Sequence, residues 1–547
     1  RKMSVEEVPL LNNNNKSSDA LSELATVSSD KSSKNINTLG SFSLIVNNLC
    51  GPAMLQFPFL FQQAGIIPTI VCILFVFLCS TLNGTLLADS IASIPGNKNF
   101  TRNVEFSTAF RLTAGDSWYI LAEGLFVISC VVQACAGLVE AAQSLDSILA
   151  SYLLGSTWAF QFYPEVKLIP WTPVNCHDDG VATPEATLGC TPFGGDGMLV
   201  LSLGFLLTTF IFLPLGTANL KETIFVQLIA FGSMAFLLSE FSFEFLERGF
   251  PTEVPWFGHH TKQLAGIVLF NYAYIITVPS WLNEKKPDVS VNRIIWGTST
   301  LASLIYIGFG LVGAMSFDHI SSNALVMLAS SKVHYVTRIC AALFGITIIG
   351  SGVPVFCVII KNTLINSNVC SPNWAFFWGA LFPYIASWML YQGTALANLL
   401  NWTGLVVNGL VCFLLPMILI LKTIALTSQR KNKVFHSTAT APTVYEALVS
   451  DDAENAETNS LIVAKNGNIV ANQSIPSYQS VELTDEKEKD EEMMFAPSKE
   501  DLDDMISSVQ PLPIWLEPFR KVIVLFMFTA FCVIIATTIV NTAVNGA

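Results

Sequence analysis

Charged residues are scarce in this chain: Asp, Glu, Lys and Arg make up 13% of its 547 residues, against 52% hydrophobic ones. That is too little charge to clothe several water-soluble domains, so a string of soluble domains is excluded. Catalytic and metal-binding patterns are missing too, with no His-x-x-x-His, Cys-x-x-Cys, P-loop or nucleophile elbow. An enzyme is therefore not expected, and neither is a resident metal, an organic cofactor or a nucleic-acid partner. The first 38 residues are polar and lack the apolar core of a secretory signal, so no cleavable leader is expected; with Arg1 in place of methionine, the natural start is expected upstream.

What the chain has instead is long apolar runs. A helix needs about 20 residues to cross about 30 Å of hydrocarbon, and hydropathy, punctuated by Gly, Pro and charge, predicts spans at 40–64, 67–91, 118–150, 198–216, 222–246, 263–282, 292–316, 334–361, 373–392, 402–427 and 514–541. Eleven spans put the two termini on opposite sides. Cytoplasmic flanks carry the excess of Lys and Arg, and a cytoplasmic N-terminus gathers Lys16, Lys31, Lys34, Lys98, Arg102, Arg111, Lys221, Lys285, Lys286, Arg293 and Lys361 inside. Only Lys167, Arg248, Lys262 and Lys332 fall outside, so the C-terminus is expected on the outer or lumenal face.

The formal charge of −13 is local. Residues 441–510 hold 16 acidic residues against 4 lysines, which leaves the rest nearly neutral. Low hydrophobicity and high charge predict disorder for this linker, 428–510, as for residues 1–38. The predicted organisation is thus a disordered N-terminus (1–38), a ten-helix core (39–427, with an outer loop at 151–197), the acidic cytoplasmic linker (428–510) and an eleventh span with its tail (511–547). Within the tails, "EEVPLL" (Glu6–Leu11) and "ETNSLI" (Glu457–Ile462) have the form of acidic dileucine signals for sorting adaptors, and "YEAL" that of a tyrosine signal. Most of the 12 cysteines lie in apolar spans, where a thiol is a small packing residue. Cys176 and Cys190 share the outer loop, and a disulfide between them is expected if that loop faces an oxidising compartment.

Two spans are interrupted. In "IVNNLCGPAMLQFPF" the pair Gly51-Pro52 breaks the ladder, because proline has no N–H and clashes with the preceding turn while glycine tolerates the resulting dihedrals. In "LFNYAYIITVPSWLNEKK" Asn271, Thr277 and Pro279 interrupt the sixth span. Backbone is left irregular in hydrocarbon only where it faces protein or a watery cavity, and paired breaks in spans one and six fit an inverted five-plus-five repeat with its site at the interruptions. Freed amides of Asn48, Gly51, Ala53 and Met54 around Pro52 suit a carboxylate, and carbonyls near Asn271 suit an amino group. Tyr272 and Tyr274 are candidate walls for a side chain. A simple proline kink that only shapes packing is the alternative.

The stretch "NNLCGPAMLQFPFLFQQAG" resembles the first-helix signature of the amino acid/auxin permease family: Asn47 falls on its asparagine, Gly51 and Ala53 on its turn, Pro58 on its proline and Gly65 on its closing glycine. "NEKK" (Asn283–Lys286) is similar to the family's Asn-Glu-Leu-Lys after the sixth helix. The resemblance implies an all-α, leucine-transporter-like fold and symport of amino acids coupled to Na+ or H+. Pro52 and Ala53 depart from the family's turn. In the eighth span the family's sodium-binding threonine is replaced, Gly352 standing two residues before Pro354 with Ser351 and Thr347 as the nearest hydroxyls. Asn47, Thr347 and Ser351 are the candidate ion ligands, and Glu123 the candidate proton carrier. Glu140, Glu240, Gln133 and Asn408 are equally readable as helix-end or interhelical groups. A sensor on the same fold, signalling through its cytoplasmic arms, is the second functional reading. The expected membrane is plasma or vacuolar/lysosomal.

Overall fold

The computed structural model describes residues 34–172, 192–193, 198–391, 406–429, 509 and 511–545, apart from positions 219, 262, 319, 321–323, 329–332 and 368. Cys176, Cys190 and both dileucine motifs lie outside the described residues, as do the tails 1–33 and 430–508.

The described chain is mostly helical, with helix in the described part of each segment predicted to span. Among the described residues eight are long and apolar enough to cross a bilayer, or nine when the bent pair in the first span is taken as one. The fourth span is shorter, a 15-residue helix at Leu203–Thr217. The ninth is a chain of short pieces from Pro372 to Met389 with a π-turn at Phe377–Leu381 between them. Large apolar side chains such as Val71, Leu78, Phe210, Phe225, Phe236, Leu304 and Phe526 remain exposed on the outside of the bundle. Outward apolar faces of this extent are what a hydrocarbon solvent stabilises and water does not. The protein is a multi-pass membrane protein.

The first span divides into α1 (Thr38–Leu49), a 3-10 turn at Pro52–Gln56 and α2 (Phe57–Ala64). The Asn37 side chain caps α1 by accepting from the Gly40 N–H at 2.8 Å. Across the break the helix axis bends by 47°. Gly65 follows at φ +88°, and a Cβ there would lie 2.6 Å from the Gly258 nitrogen, so only glycine lets the loop at 257–258 close over the end of α2. Then come α3 (Ile66–Ala92), the short α4 (Phe106–Ala114) and the long α5 (Asp116–Ile148).

The segment after α5, predicted as an outer loop, departs from the all-α expectation. It carries a three-stranded antiparallel sheet in the order β2-β1-β3, from β1 (Thr157–Tyr163), β2 (Lys167–Trp171) and β3 (Leu199–Ser202), with Phe160 opposite Leu168 on one side and Leu201 on the other. The period-two alternation of "TWAFQFY" is the cause: Thr157, Ala159 and Gln161 are buried and the aromatic residues between them exposed. Asp146, fully buried at the top of α5, pins this sheet. One carboxylate oxygen accepts from Thr157 Oγ1 at 2.6 Å and the Gly204 N–H at 2.8 Å, and the other from Tyr391 Oη at 2.7 Å. A Cβ on Gly204 would stand 2.5 Å from the Asp146 carboxyl carbon. Gly204→Ala is therefore expected to displace the carboxylate, leave a buried donor unpaired and destabilise the protein by about 1–3 kcal/mol. Thermal unfolding of the detergent-solubilised protein checks this.

Beyond the sheet follow α6 (Leu203–Thr217) and α7 (Leu220–Arg248). The sixth span repeats the interruption of the first as α8 (Leu264–Asn271), a 3-10 turn at Ala273–Thr277 and α9 (Val278–Glu284), with Pro279 placed in the first turn of α9 where its missing N–H costs nothing. The bundle continues with α10 (Val291–Ser316), α11 (Ala324–Leu328), and the eighth span as α12 (Tyr335–Phe344), a π-turn (Gly345–Gly350) and α13 (Ser351–Asn366). The tenth span runs Val406–Gln429, and the eleventh follows as Arg520–Asn545. Arg520 pairs with Asp89 at the end of α3, which ties the eleventh span to the second.

Candidate functional site

The two interrupted spans meet at mid-bundle. α1 packs on the 3-10 turn Ala273–Thr277, and the 3-10 turn Pro52–Gln56 packs on α8, so each break lies against the other span. Between them and the facing walls is a cavity of about 70 Å³. Its polar lining is Asn47, Asn48 and Gly51 from the first span, Asn271 from the sixth and Gln133 from α5; its apolar lining includes Phe270, Ile349, Val353 and Phe356.

Most backbone groups freed by the breaks are satisfied inside the protein, as burial in hydrocarbon requires. The Cys50 N–H returns to the Val46 carbonyl at 2.7 Å, the Gly51 N–H to Leu49 at 2.9 Å, and the Met54 N–H to Gly51 at 3.1 Å. In the sixth span the Tyr272 carbonyl accepts from Ser80 Oγ at 3.1 Å, the Ala273 carbonyl from the Cys412 thiol at 3.4 Å, and the Tyr274 carbonyl from Thr277 Oγ1 at 2.7 Å. Tyr306, on α10, serves both breaks. Its hydroxyl lies 2.7 Å from the Leu49 carbonyl and 3.4 Å from that of Asn271, while its ring stacks on Phe57 at 4.5 Å.

Two buried side-chain oxygens of the described residues are left for a ligand. Asn271 donates from Nδ2 to the Ile267 carbonyl at 2.9 Å, and Asn47 donates from Nδ2 to the Gln227 carbonyl at 2.7 Å and to Gln227 Oε1 at 2.8 Å. These bonds fix which end of each amide is nitrogen, and the buried Oδ1 of both asparagines has no partner among the described residues. A buried unpartnered amide oxygen costs about 1–3 kcal/mol, so a site holding two of them in one cavity is poised for a donor or a cation. Gly51 adds room: no atom of the described residues lies within 4 Å of where its Cβ would be.

The structure sorts the expected residues. Asn47, Asn48, Gly51, Asn271 and Tyr274 are on the cavity wall. Met54 is wholly buried away from it, Tyr272 turns its hydroxyl to Ser303 on α10, and Thr277 spends its hydroxyl on its own turn. Pro52 and Ala53 form the 3-10 turn, their side chains lying outside the described residues. Ser351 sits below the π-turn with its hydroxyl on the Ile348 carbonyl, and its own carbonyl accepts from Gln227 Nε2 at 2.7 Å. Thr347 bonds its own helix at the Leu343 carbonyl and is not part of the lining. Glu123 lies ten residues before Gln133 on α5, about 15 Å along the helix at 1.5 Å per residue, and belongs to another cluster.

Sequence reasoning missed Gln227 and Tyr306. Each is a lone polar group in an apolar span, and the signal that could have found them is that a buried Gln or Tyr needs partners. A larger groove of about 460 Å³ on α7, lined by Leu238, Ser239, Ser242, Phe243 and Leu246, offers only two hydroxyls, and both bond carbonyls of α7 itself.

The bundle and its paired interruptions define a helical multi-pass membrane protein with a buried central site. Residues 34–176 match the family described as transmembrane amino acid transporter protein, a stretch that contains the whole first interruption and bears out the resemblance read from "NNLCGPAMLQFPFLFQQAG". No curated protein matches the chain. Similar solved structures include Mhp1, described as a nucleobase-cation-symport-1 family transporter, in a closed conformation with bromovinylhydantoin bound (11% identity, 74% of this chain and 83% of that one, TM-score 0.49). Mhp1 facing inward (12%, 71% and 77%, 0.49) and a manganese transporter of Eremococcus coleocola (12%, 76% and 81%, 0.39) are also similar.

Proposed function

We propose that this protein is a secondary active transporter that moves amino acids across a membrane by alternating access, driven by Na+ or H+. The observation that carries the proposal is the pair of buried amide oxygens of Asn47 and Asn271, without partners among the described residues, on residues that line a cavity where two broken spans meet. The family match over residues 34–176 supports an amino acid as the substrate class. In this reading Asn271 Oδ1 accepts from the substrate ammonium and the carboxylate lies toward Gly51, at the N-terminal end of the turn that opens the second half-helix. The side chain lies toward Phe270, Tyr274 and Phe356. Asn47 Oδ1 faces the coupling ion, with Ser351 next to it through Gln227.

The proposal includes eleven spans in a five-plus-five inverted repeat with one added, and a cytoplasmic N-terminus set by the Lys and Arg count. Uptake of labelled amino acids into proteoliposomes under imposed Na+ or H+ gradients tests it. Accumulation above the equilibrium level under one gradient is expected. Absence of gradient-driven flux for every amino acid sinks the transporter reading, and saturable binding without flux would favour a sensor.

A further inference from the structure

Away from the cavity, at the end of the bundle that carries Lys34, Lys98, Arg102, Lys285 and Lys286, lies a second buried polar cluster built on Glu105. Glu105 stands just before α4, is 2% exposed and, among the described residues, has no basic side chain as a hydrogen-bond donor. Three donors replace one: Ser280 Oγ at 2.9 Å on one carboxylate oxygen, and Asn283 Nδ2 and Asn366 Nδ2, each at 3.0 Å, on the other. Asn283 is held from both ends, since its Oδ1 accepts from the Val104 N–H at 3.1 Å. Burial pushes the Glu105 carboxyl above the ordinary carboxylate range, and these bonds pull it back.

The donors come from different parts of the bundle. Ser280 and Asn283 are on α9, the second half of the broken sixth span, which packs on α3; Asn366 ends α13, which packs on α5 and α6. The next residue, Ser367, extends the cluster to α5. Its hydroxyl lies 3.2 Å from Ser107 Oγ and 3.4 Å from Glu123 Oε2, and its carbonyl accepts from Tyr119 at 2.8 Å. At its edge the N-terminal segment lies along the end of α9, with the Asn35 and Ile36 N–H groups donating to the Glu284 carbonyl at 3.0 and 3.1 Å. A carboxylate satisfied by three donors from two groups of helices is stable only while those groups stay together, because separation leaves a buried charge short of partners.

Resting on the transporter reading above, we propose that Glu105 is a positioning residue of the transport cycle: its bonds to Ser280, Asn283 and Asn366 latch the broken sixth span to the α5–α13 side, hold the cavity shut toward the Lys- and Arg-rich face, and part when it opens there. The native thiol of Cys50, wholly buried between the cavity-lining residues Leu49 and Gly51, is the chosen reporter of that opening. The experiment applies a membrane-impermeant thiol reagent from the Lys- and Arg-rich face to full-length protein in vesicles, and resolves modification at Cys50 by mass spectrometry, with C50A as the blank. E105Q puts an amide donor where the cluster needs acceptors. Cys50 labelling is expected to rise about tenfold, the shift produced when about one charge-assisted hydrogen bond is lost from one of two states. S280A and N366A should give smaller rises of about two- to fivefold, while labelling of half-buried Cys72 stays unchanged. If E105Q does not fold, S280A and N366A carry the test alone. Unchanged Cys50 labelling in the folded variants, or an equal rise at Cys72, overturns the latch. Labelling needs no flux, so failure of the latch and failure of the transporter reading are seen separately.

Discussion

Under the proposed transport function, Tyr306→Phe is expected to lower gradient-driven uptake about 10- to 100-fold while leaving the protein folded. The substitution keeps the ring, and with it the stack on Phe57 at 4.5 Å and the edge contact with Tyr272 at 5.5 Å, so packing changes little. What goes is one hydroxyl, 2.7 Å from the Leu49 carbonyl and 3.4 Å from the Asn271 carbonyl. Those carbonyls close the two half-helices that frame the cavity, and they sit where water does not reach freely. Leaving a buried acceptor unpaired costs about 1–3 kcal/mol, or roughly 5- to 150-fold in the population of the state that needs it. Since the same hydroxyl touches both breaks, the loss also frees their relative position, on which substrate geometry depends. Tyr272→Phe is the control: its hydroxyl bonds Ser303 on α10, away from the cavity, and uptake is expected to change by less than about threefold. Initial rates of labelled uptake, with thermal unfolding in detergent measured in parallel, decide the comparison. Equal losses in both variants would mean that a buried tyrosine hydroxyl matters here only for stability.

The interruptions were legible because their cause is local. Gly51-Pro52 and Pro279 act through missing donors and dihedral preference, which a sequence displays directly. Which way each neighbouring side chain faces was less legible. The sixth span is buried over most of its surface, so apolar periodicity gives no azimuth, and Tyr272, Thr277 and Met54 could not be told from the residues that line the cavity. The sheet at Thr157–Ser202 was legible in principle from the alternation of "TWAFQFY", but read as part of a polar outer loop it carried no span signal. Gln227 and Tyr306 were hidden for a different reason. Their roles depend on partners 180 and 257 residues away, Asn47 and the Leu49 carbonyl, and sequence distance says nothing of such meetings. Glu105 was hidden likewise: it reads as one more charge in a loop until α9 and α13 close over it.

Under the same proposed function, Gln227→Leu is expected to weaken the response to the coupling ion more than the affinity for amino acid. Gln227 is 1% exposed and bridges the first and eighth spans: it accepts from Asn47 at 2.7 and 2.8 Å through its two oxygens, and donates to the Ser351 carbonyl at 2.7 Å. Leucine fills similar space but leaves the Ser351 carbonyl without that donor and Asn47 with the backbone acceptor alone. The Asn47 amide can then turn, and its Oδ1 no longer holds a fixed direction. A loss of about 10- to 30-fold in ion-driven uptake follows from one to two buried hydrogen bonds. The half-maximal concentration of the driving ion should rise by a similar factor. Asn47→Ala should do the same without preventing folding, because a cavity forms where a cavity already exists. Since the two residues share one network, the double variant is expected to be no worse than the poorer single one by more than about threefold, a coupling of roughly 1–2 kcal/mol. Losses that multiply in full would show that Asn47 and Gln227 act apart, and the ion would then have to be sought away from the junction of α1, α7 and α13.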